Sequence, residues 1–300
     1  MIKDVRYKGV FFMLLAALGF SVMGGSAKLL KENFNAGQLV FFRNLVGLIV
    51  LLISLYNRPA VSLGGMFYWL VFRGLAGTTA LYALLYCILH IPLGTAMTYN
   101  LTSTIFIALF SFILFKEYHG RYVVFAVLLG FVGMLLVYKP SVQFPWYYHA
   151  AGVFSGIASA VAYMTVGRLS KYYDTRIIVL SFVLSGVLVP SIFMLLKGLF
   201  HIPADDVFFI QWQWPVGNEW FYIVLLGLAA LFGQYFVTLA YSADKAGIVS
   251  AFGYANIIFS VFIGMALGDA FPGLMSWSGI FCIISCGIII SFVKWRTPVV

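Results

Sequence analysis

The feature that most constrains this sequence is a series of long apolar runs with almost no charge inside them. They lie at residues 8–30, 36–56, 66–89, 92–115, 120–138, 147–170, 176–198, 217–242, 245–267 and 273–294. Each approaches the ~20 residues that a helix needs to cross about 30 Å of hydrocarbon. Lipid offers backbone N–H and C=O groups no water to bond, so runs of this length must satisfy them internally, as helices. The expected fold is an all-α membrane protein of ten transmembrane helices. Breaker clusters separate the runs: Asn57-Arg58-Pro59, Ile91-Pro92-Leu93-Gly94, Lys139-Pro140 and Phe271-Pro272-Gly273.

Composition agrees. Charged residues make up 9% of the chain and mean hydropathy is +1.03, whereas a soluble globule carries roughly 25% charge to solvate its surface. The formal charge of +9 does not point to nucleic acid, because the Lys and Arg residues stand singly between apolar runs rather than clustered on one face. They fit a topological role. With the N-terminus inside, the inner segments take Lys3, Arg6, Lys8, Arg58, Lys116, Arg121, Arg168, Lys171, Arg176, Lys245, Lys294 and Arg296, and the outer ones only Lys28, Lys31, Lys139 and Lys197. Both termini are therefore expected in the cytoplasm, in a cell inner (plasma) membrane. The first run is too long for a signal-peptide core and lacks a cleavage site, so it reads as the first span. All seven tryptophans fall at or near span ends, as an interfacial belt requires.

The halves read as repeats. Gly9-Val10-Phe11 returns as Gly152-Val153-Phe154, and at the same offset Phe20 meets Tyr163, Gly24 meets Gly167 and Lys28 meets Lys171. Later the offset drifts, so that Glu117 meets Asp269. Five spans per half is an odd number, so equivalent halves must insert with opposite orientation. The expected units are residues 8–138 and 147–294, two inverted five-helix repeats.

These residues carry a resemblance to the drug/metabolite transporter superfamily, in particular to ten-helix permeases built of two EamA-type repeats. It rests on Lys28, Phe41-Phe42-Arg43, Phe72-Arg73-Gly74, Ile91-Pro92-Leu93-Gly94-Thr95-Ala96 through Phe115-Lys116-Glu117, and Ala246-Gly247-Ile248-Val249-Ser250-Ala251 through Gly268-Asp269. The resemblance covers nearly the whole chain. It implies a secondary transporter or exchanger with a central cavity lined by spans one, three, four, six, eight and nine. That family often has proline thirteen residues before the closing acid of each repeat, whereas this chain has Thr104 and Asn256. A helix break is accordingly not expected at those points.

Arg43 and Arg73 are the charges inside spans, each about two turns from an end. Snorkelling to nearby headgroups or pairing with helix-end carbonyls would explain them, and so would attraction of an anionic solute into a cavity. The acids all fall in loops or at span ends, which leaves no mid-membrane carboxylate as a proton relay; Glu117 is the acid placed to act as a gate, paired with Arg73. Substrate-binding candidates are Arg43 and Arg73, the stripe Thr78, Tyr82 and Tyr86 of the third span, Tyr99, Asn100 and Thr104 of the unusually polar fourth, Tyr163 of the sixth, Gln234 and Thr238 of the eighth, and Asn256 of the ninth. Interhelical hydrogen bonding is the alternative role for any one of them.

No cofactor is expected. Glycine pairs such as Gly74 and Gly77 do not follow a strand, so they are packing residues rather than a phosphate loop. Cys87, Cys282 and Cys286 lie within apolar runs and imply neither a disulfide framework nor a metal site. The function expected is a permease, exporter or exchanger for a small polar or amphipathic metabolite, such as an amino acid or related zwitterion or anion, working by alternating access in the bilayer as a monomer or homodimer. A lipid-linked flippase on the same scaffold is the alternative. A membrane-embedded enzyme would need an acid, base or metal constellation that the scattered histidines do not supply.

Overall fold

The computed structural model describes residues 7–30, 33–91, 93–115, 120–138, 144–202, 212–268 and 271–296. Its helices are α1 (Lys8–Leu30), α2 (Ala36–Asn57), α3 (Phe67–His90), α4 (Leu93–Leu101), α5 (Ser103–Phe115), α6 (Arg121–Tyr138), α7 (Trp146–Leu169), α8 (Thr175–Phe200), α9 (Glu219–Ala243), α10 (Ala246–Phe252), α11 (Ala255–Ala266) and α12 (Leu274–Arg296). Among the described residues eight segments are long and apolar enough to cross a membrane, with α10 and α11 counted as one, and two shorter apolar stretches lie within α4–α5 and α12. No strand occurs among the described residues.

Local chemistry sets the ends. Asn35 opens α2 by accepting a 3.0 Å bond from the Gln38 backbone N–H, and Asp174 opens α8 by accepting one of 2.8 Å from Arg176. Either cap occupies an N–H that the first turn leaves without a partner. The Arg176 side chain then donates to the carbonyls of Arg58, at 2.6 Å, and Ser54, at 3.2 Å, tying the end of α2 to the start of α8.

The structure corrects the expectation of unbroken fourth and ninth spans. The ladder tightens to i→i−3 bonds at Thr102, between α4 and α5, and at Gly253–Tyr254, between α10 and α11. Proline is not the cause. The Thr102 hydroxyl donates to the Tyr99 carbonyl at 2.5 Å and competes with the ladder, as Ser and Thr side chains do when they bond back along their own helix. In the other span Gly253, with no side chain to pack, donates to Ser250 at 2.9 Å, three residues back.

Packing is pairwise. α1 lies along α9, α3 along α7, α2 along α8, and α6 along α12. Small residues permit the close crossings, which in lipid are held by dispersion and hydrogen bonds rather than by expelled water. A side-chain carbon at Gly133 would stand 2.6 Å from the Gly279 carbonyl oxygen, and one at Gly19 would stand 2.8 Å from the Gly233 nitrogen. The lipid-facing perimeter carries exposed apolar side chains such as Phe125, Ile192, Leu228 and Phe281.

Candidate functional site

At one end of the bundle a single core joins the helices. Val10 and Met13 of α1, Leu70 of α3, Val166 and Leu169 of α7, Tyr241 of α9 and Val249 of α10 share one buried cluster. At the opposite end the side chains part into two groups. Leu30, Phe34, Phe42 and Ile223 pack α1, α2 and α9 together, while Cys87 of α3 and Ile91 just past its end pack with Tyr99, Tyr148 and Ala151 of α4 and α7. Val40 meets Tyr82 and Leu85 on the α2–α3 flank.

Between these ends lies a cavity of about 160 Å³. That is close to the ~150 Å³ at which an engineered cavity admits benzene. Its walls come from α1, α2, α3, α4, α5, α7, α8, α9, α10 and α11, so Arg43 on α2 and Phe182 on α8 add to the six spans that the resemblance implied. On α1 the lining runs from Met13 to Gly24, a depth of roughly 16 Å at 1.5 Å per residue. Tyr163 and Tyr241 line it near the closed end, their rings stacked with centroids 5.1 Å apart.

Arg43 and Arg73 are 7% and 1% exposed, so neither snorkels. Their guanidinium carbons lie 5.5 Å and 5.1 Å from the centre of the same ring, Phe182. Such cation–π contacts offset part of the desolvation, by about 2 kcal/mol when water is excluded. They leave the N–H groups unused: Nε and Nη1 of Arg43, and Nε and Nη2 of Arg73, are buried without a hydrogen-bond partner. Each such donor costs roughly 1–3 kcal/mol, so the site as it stands holds unsatisfied binding capacity.

The other polar side chains of the wall are uncharged and stand among apolar ones such as Met13, Phe20, Leu81 and Met97. Asn256 donates from Nδ2 to the Ala17 carbonyl at 3.0 Å and to Ser21 Oγ at 2.9 Å, and the Ser260 hydroxyl donates to Ser21 Oγ at 3.1 Å, which fastens α11 to α1 beside the helix break. Across the cavity Asn100 Nδ2 faces Ser155 and Ser159 of α7 at 3.5 Å and 3.4 Å, and the Thr104 hydroxyl donates to the Ser250 carbonyl at 3.3 Å. Gln234 sits on the wall as well.

The structure thus brings Arg43, Arg73, Asn100, Thr104, Tyr163, Gln234 and Asn256 to one cavity. The other candidates lie off its wall. Thr78 is buried away from it; Tyr82 packs against Ala36 and Val40; the Tyr86 ring lies 4.6 Å from that of His90; the Tyr99 hydroxyl bonds to His149; and Thr238 donates to the Gln234 carbonyl at 2.7 Å. On α3 the cavity stripe is Arg73, Gly77, Leu81 and Leu84. It is rotated from Thr78, Tyr82 and Tyr86 by one residue, which is about 100° around a helix. Glu117 lies outside the described residues. Sequence reasoning passed over Phe182, which had no polar signal, and Ser159, whose i, i+4 spacing to Tyr163 and Ser155 marks the polar face of α7.

Comparison with known proteins agrees with this architecture. A model of the EamA-like transporter family matches residues 7–139. An uncharacterized transporter of Helicobacter pylori is 31% identical over 94% of each chain. The pseudopaline exporter CntI of Pseudomonas aeruginosa is 30% identical over 95% of this chain and 97% of its own, and solute carrier family 35 member G1 of Homo sapiens is 24% identical over 96% and 80%. A solved crystal structure shares the fold, with a TM-score of 0.81 at 17% identity over 97% of this chain and 100% of its own. The chain belongs to the EamA-like transporter family of the drug/metabolite superfamily: it is a multi-pass membrane transporter and not an enzyme.

Proposed function

We propose that this protein is a secondary transporter that carries a small polar or amphipathic metabolite across the cell inner membrane by alternating access. The observation that carries the reading is the cavity itself, closed at one end by a shared core, parted at the other, and holding Arg43 and Arg73 at its centre. A charge in hydrocarbon costs several kcal/mol, so two buried guanidiniums kept beside an open space argue for a solute that meets them.

Alternating access needs two halves that exchange conformations, and the packing supports repeats over 8–138 and 147–294. α1 pairs with α9 as α7 pairs with α3; α2 meets α9 as α8 meets α3; α1 meets α11 as α7 meets α5. α2 with α8 and α6 with α12 are their own counterparts under such an exchange. Both helix breaks fall at corresponding places. With the basic residues inside, the end at which the side chains form two separate clusters would face out, which supports reading this conformation as outward-facing. Both cavity arginines are buried rather than turned to lipid, which favours a water-soluble solute over a lipid-linked one.

The test is transport in proteoliposomes, preceded by a thermal-shift screen of the purified protein against small metabolites. A ligand at a hundred times its dissociation constant stabilises by about 2.7 kcal/mol. The expected result is a solute that both stabilises the protein and is taken up, with uptake lost when Tyr163 or Asn100 is replaced. Solutes that bind with no flux in either direction would sink the proposal.

A further inference from the structure

We infer that the solute carries two negative charges, one for each cavity guanidinium; this rests on the transporter reading above and narrows its substrate class. Arg43 and Arg73 enter from different helices, yet both point at one ring, Phe182, and both line the same cavity. Their carbons are therefore no further apart than the sum of two ring contacts, within reach of a single small molecule.

Neither charge is balanced within the cavity by a described residue. Among the described residues no carboxylate lines the cavity. Asp174 is engaged by Arg176, Glu219 accepts from Asn33 and from the Val216 N–H, and Asp244 accepts from the Lys245 N–H, all at helix ends. The contact with Phe182 supplies no hydrogen-bond acceptor, and Nε with Nη1 of Arg43 and Nε with Nη2 of Arg73 remain buried without partners. On Arg73 the two groups share one edge, a planar fork whose geometry matches the two oxygens of a carboxylate or phosphate, whereas on Arg43 they lie on different edges and each can take a separate oxygen.

A zwitterion fits this arrangement poorly. Its ammonium would enter a chamber that already holds two positive charges and no described counter-charge, in a medium that screens repulsion weakly. A monoanion would satisfy one guanidinium and leave the other bare. A dianion satisfies both and renders the loaded chamber neutral, the state in which passage through hydrocarbon is least costly. Two carboxylates or one phosphate monoester supply this chemistry.

The experiment compares wild type with Arg43→Gln, Arg73→Gln and Arg73→Lys by thermal shift in detergent at pH 7.5 and constant ionic strength. The probes are succinate, glutarate and glycerol phosphate as dianions, propionate as a monoanion, alanine as a zwitterion and glucose as a neutral solute. The proposal expects at least one dianion to raise the wild-type melting temperature by several degrees while alanine and glucose do not. Each Arg→Gln variant should weaken the best dianion at least tenfold, with Arg73→Lys intermediate. Succinate and glutarate acting without glycerol phosphate would assign two carboxylates, and the reverse would assign phosphate. The wild-type panel decides the question even if a variant fails to fold. Alanine or glucose stabilising as well as any dianion, no dianion stabilising at all, or both Arg→Gln variants binding the dianion within twofold of wild type would each overturn it. If alanine or glucose binds and crosses proteoliposomes while dianions do neither, the transporter stands and this inference falls. If a dianion binds but never crosses, this inference stands and the transporter reading falls.

Discussion

Tyr163 of α7 stacks on Tyr241 of α9, ring centroids 5.1 Å apart and planes 26° from parallel. The pair lines the cavity, and Tyr241 shares a buried cluster with Val166, Leu169 and Val249, which would close this end. Removing one ring should therefore open a leak. With Cys87, Cys282 and Cys286 replaced and a reporter thiol at Ser159→Cys, a membrane-impermeant maleimide should label wild type from the parted end only. In Tyr163→Ala it should label from both faces. Labelling unchanged by the substitution would show that the deeper residues seal the chamber unaided.

Asn256 makes two bonds to α1 that no apolar residue can replace. Interhelical hydrogen bonds in membranes average roughly 0.6 kcal/mol, so Asn256→Ala should destabilise by about 1–2 kcal/mol. The readout is thermal unfolding in detergent. The matching change Asn256→Asp should not restore wild-type stability, since a carboxylate cannot donate to the Ala17 carbonyl.

The helix breaks make a prediction about proline. Thr104 is the second residue of α5, within the first turn, where a backbone N–H has no ladder partner to lose. Thr104→Pro should cost well under the ~3 kcal/mol of an interior proline, its main loss being the bond to Ser250. Ile107→Pro, one turn further on and fully buried, should abolish folding. Equal yields of the two variants in the membrane would contradict the break at Thr102.

Acid should loosen the tie between α2 and α8. Partial burial pushes the Asp174 carboxyl up, but two hydrogen bonds and the charge of Arg176 outweigh this and hold it below the usual carboxylate range. A depressed folded value contributes stability above the unfolded pKa of ~3.9, and that contribution is lost as pH falls through the folded value. The pair is partly exposed, so the effect is modest, under about 1 kcal/mol. Asp174→Asn should flatten the acid side of a plot of melting temperature against pH and leave it unchanged in shape above pH 6.

The helices were legible in the sequence because length and apolar content alone place them; α2 and α8, for instance, begin within a residue of the runs that announced them. Which way each helix faces was less legible. A membrane helix is apolar on nearly every side, so lipid-facing Phe72 and Leu75 and cavity-facing Leu81 and Leu84 look alike, and Tyr82 was mistaken for a wall residue by one position. Polar residues marked the walls well where they came from a stretch rich in them, as with Asn100, Thr104 and Asn256. Phe182 could not be found this way, since its importance lies in what two distant arginines do around it. The breaks at Thr102 and Gly253 were missed because proline is only one of several residues that can loosen a helical ladder.

α6 and α12 cross at the Gly133–Gly279 contact and give no residue to the cavity wall. This close seam is thus kept apart from the cavity wall. Mutations that retune the lining need not pass through that seam, and mutations that harm the seam are selected against whatever the cargo. A lineage built this way can drift from one solute to another without traversing misfolded intermediates, so chains with closely similar backbones should be found carrying chemically unrelated cargoes.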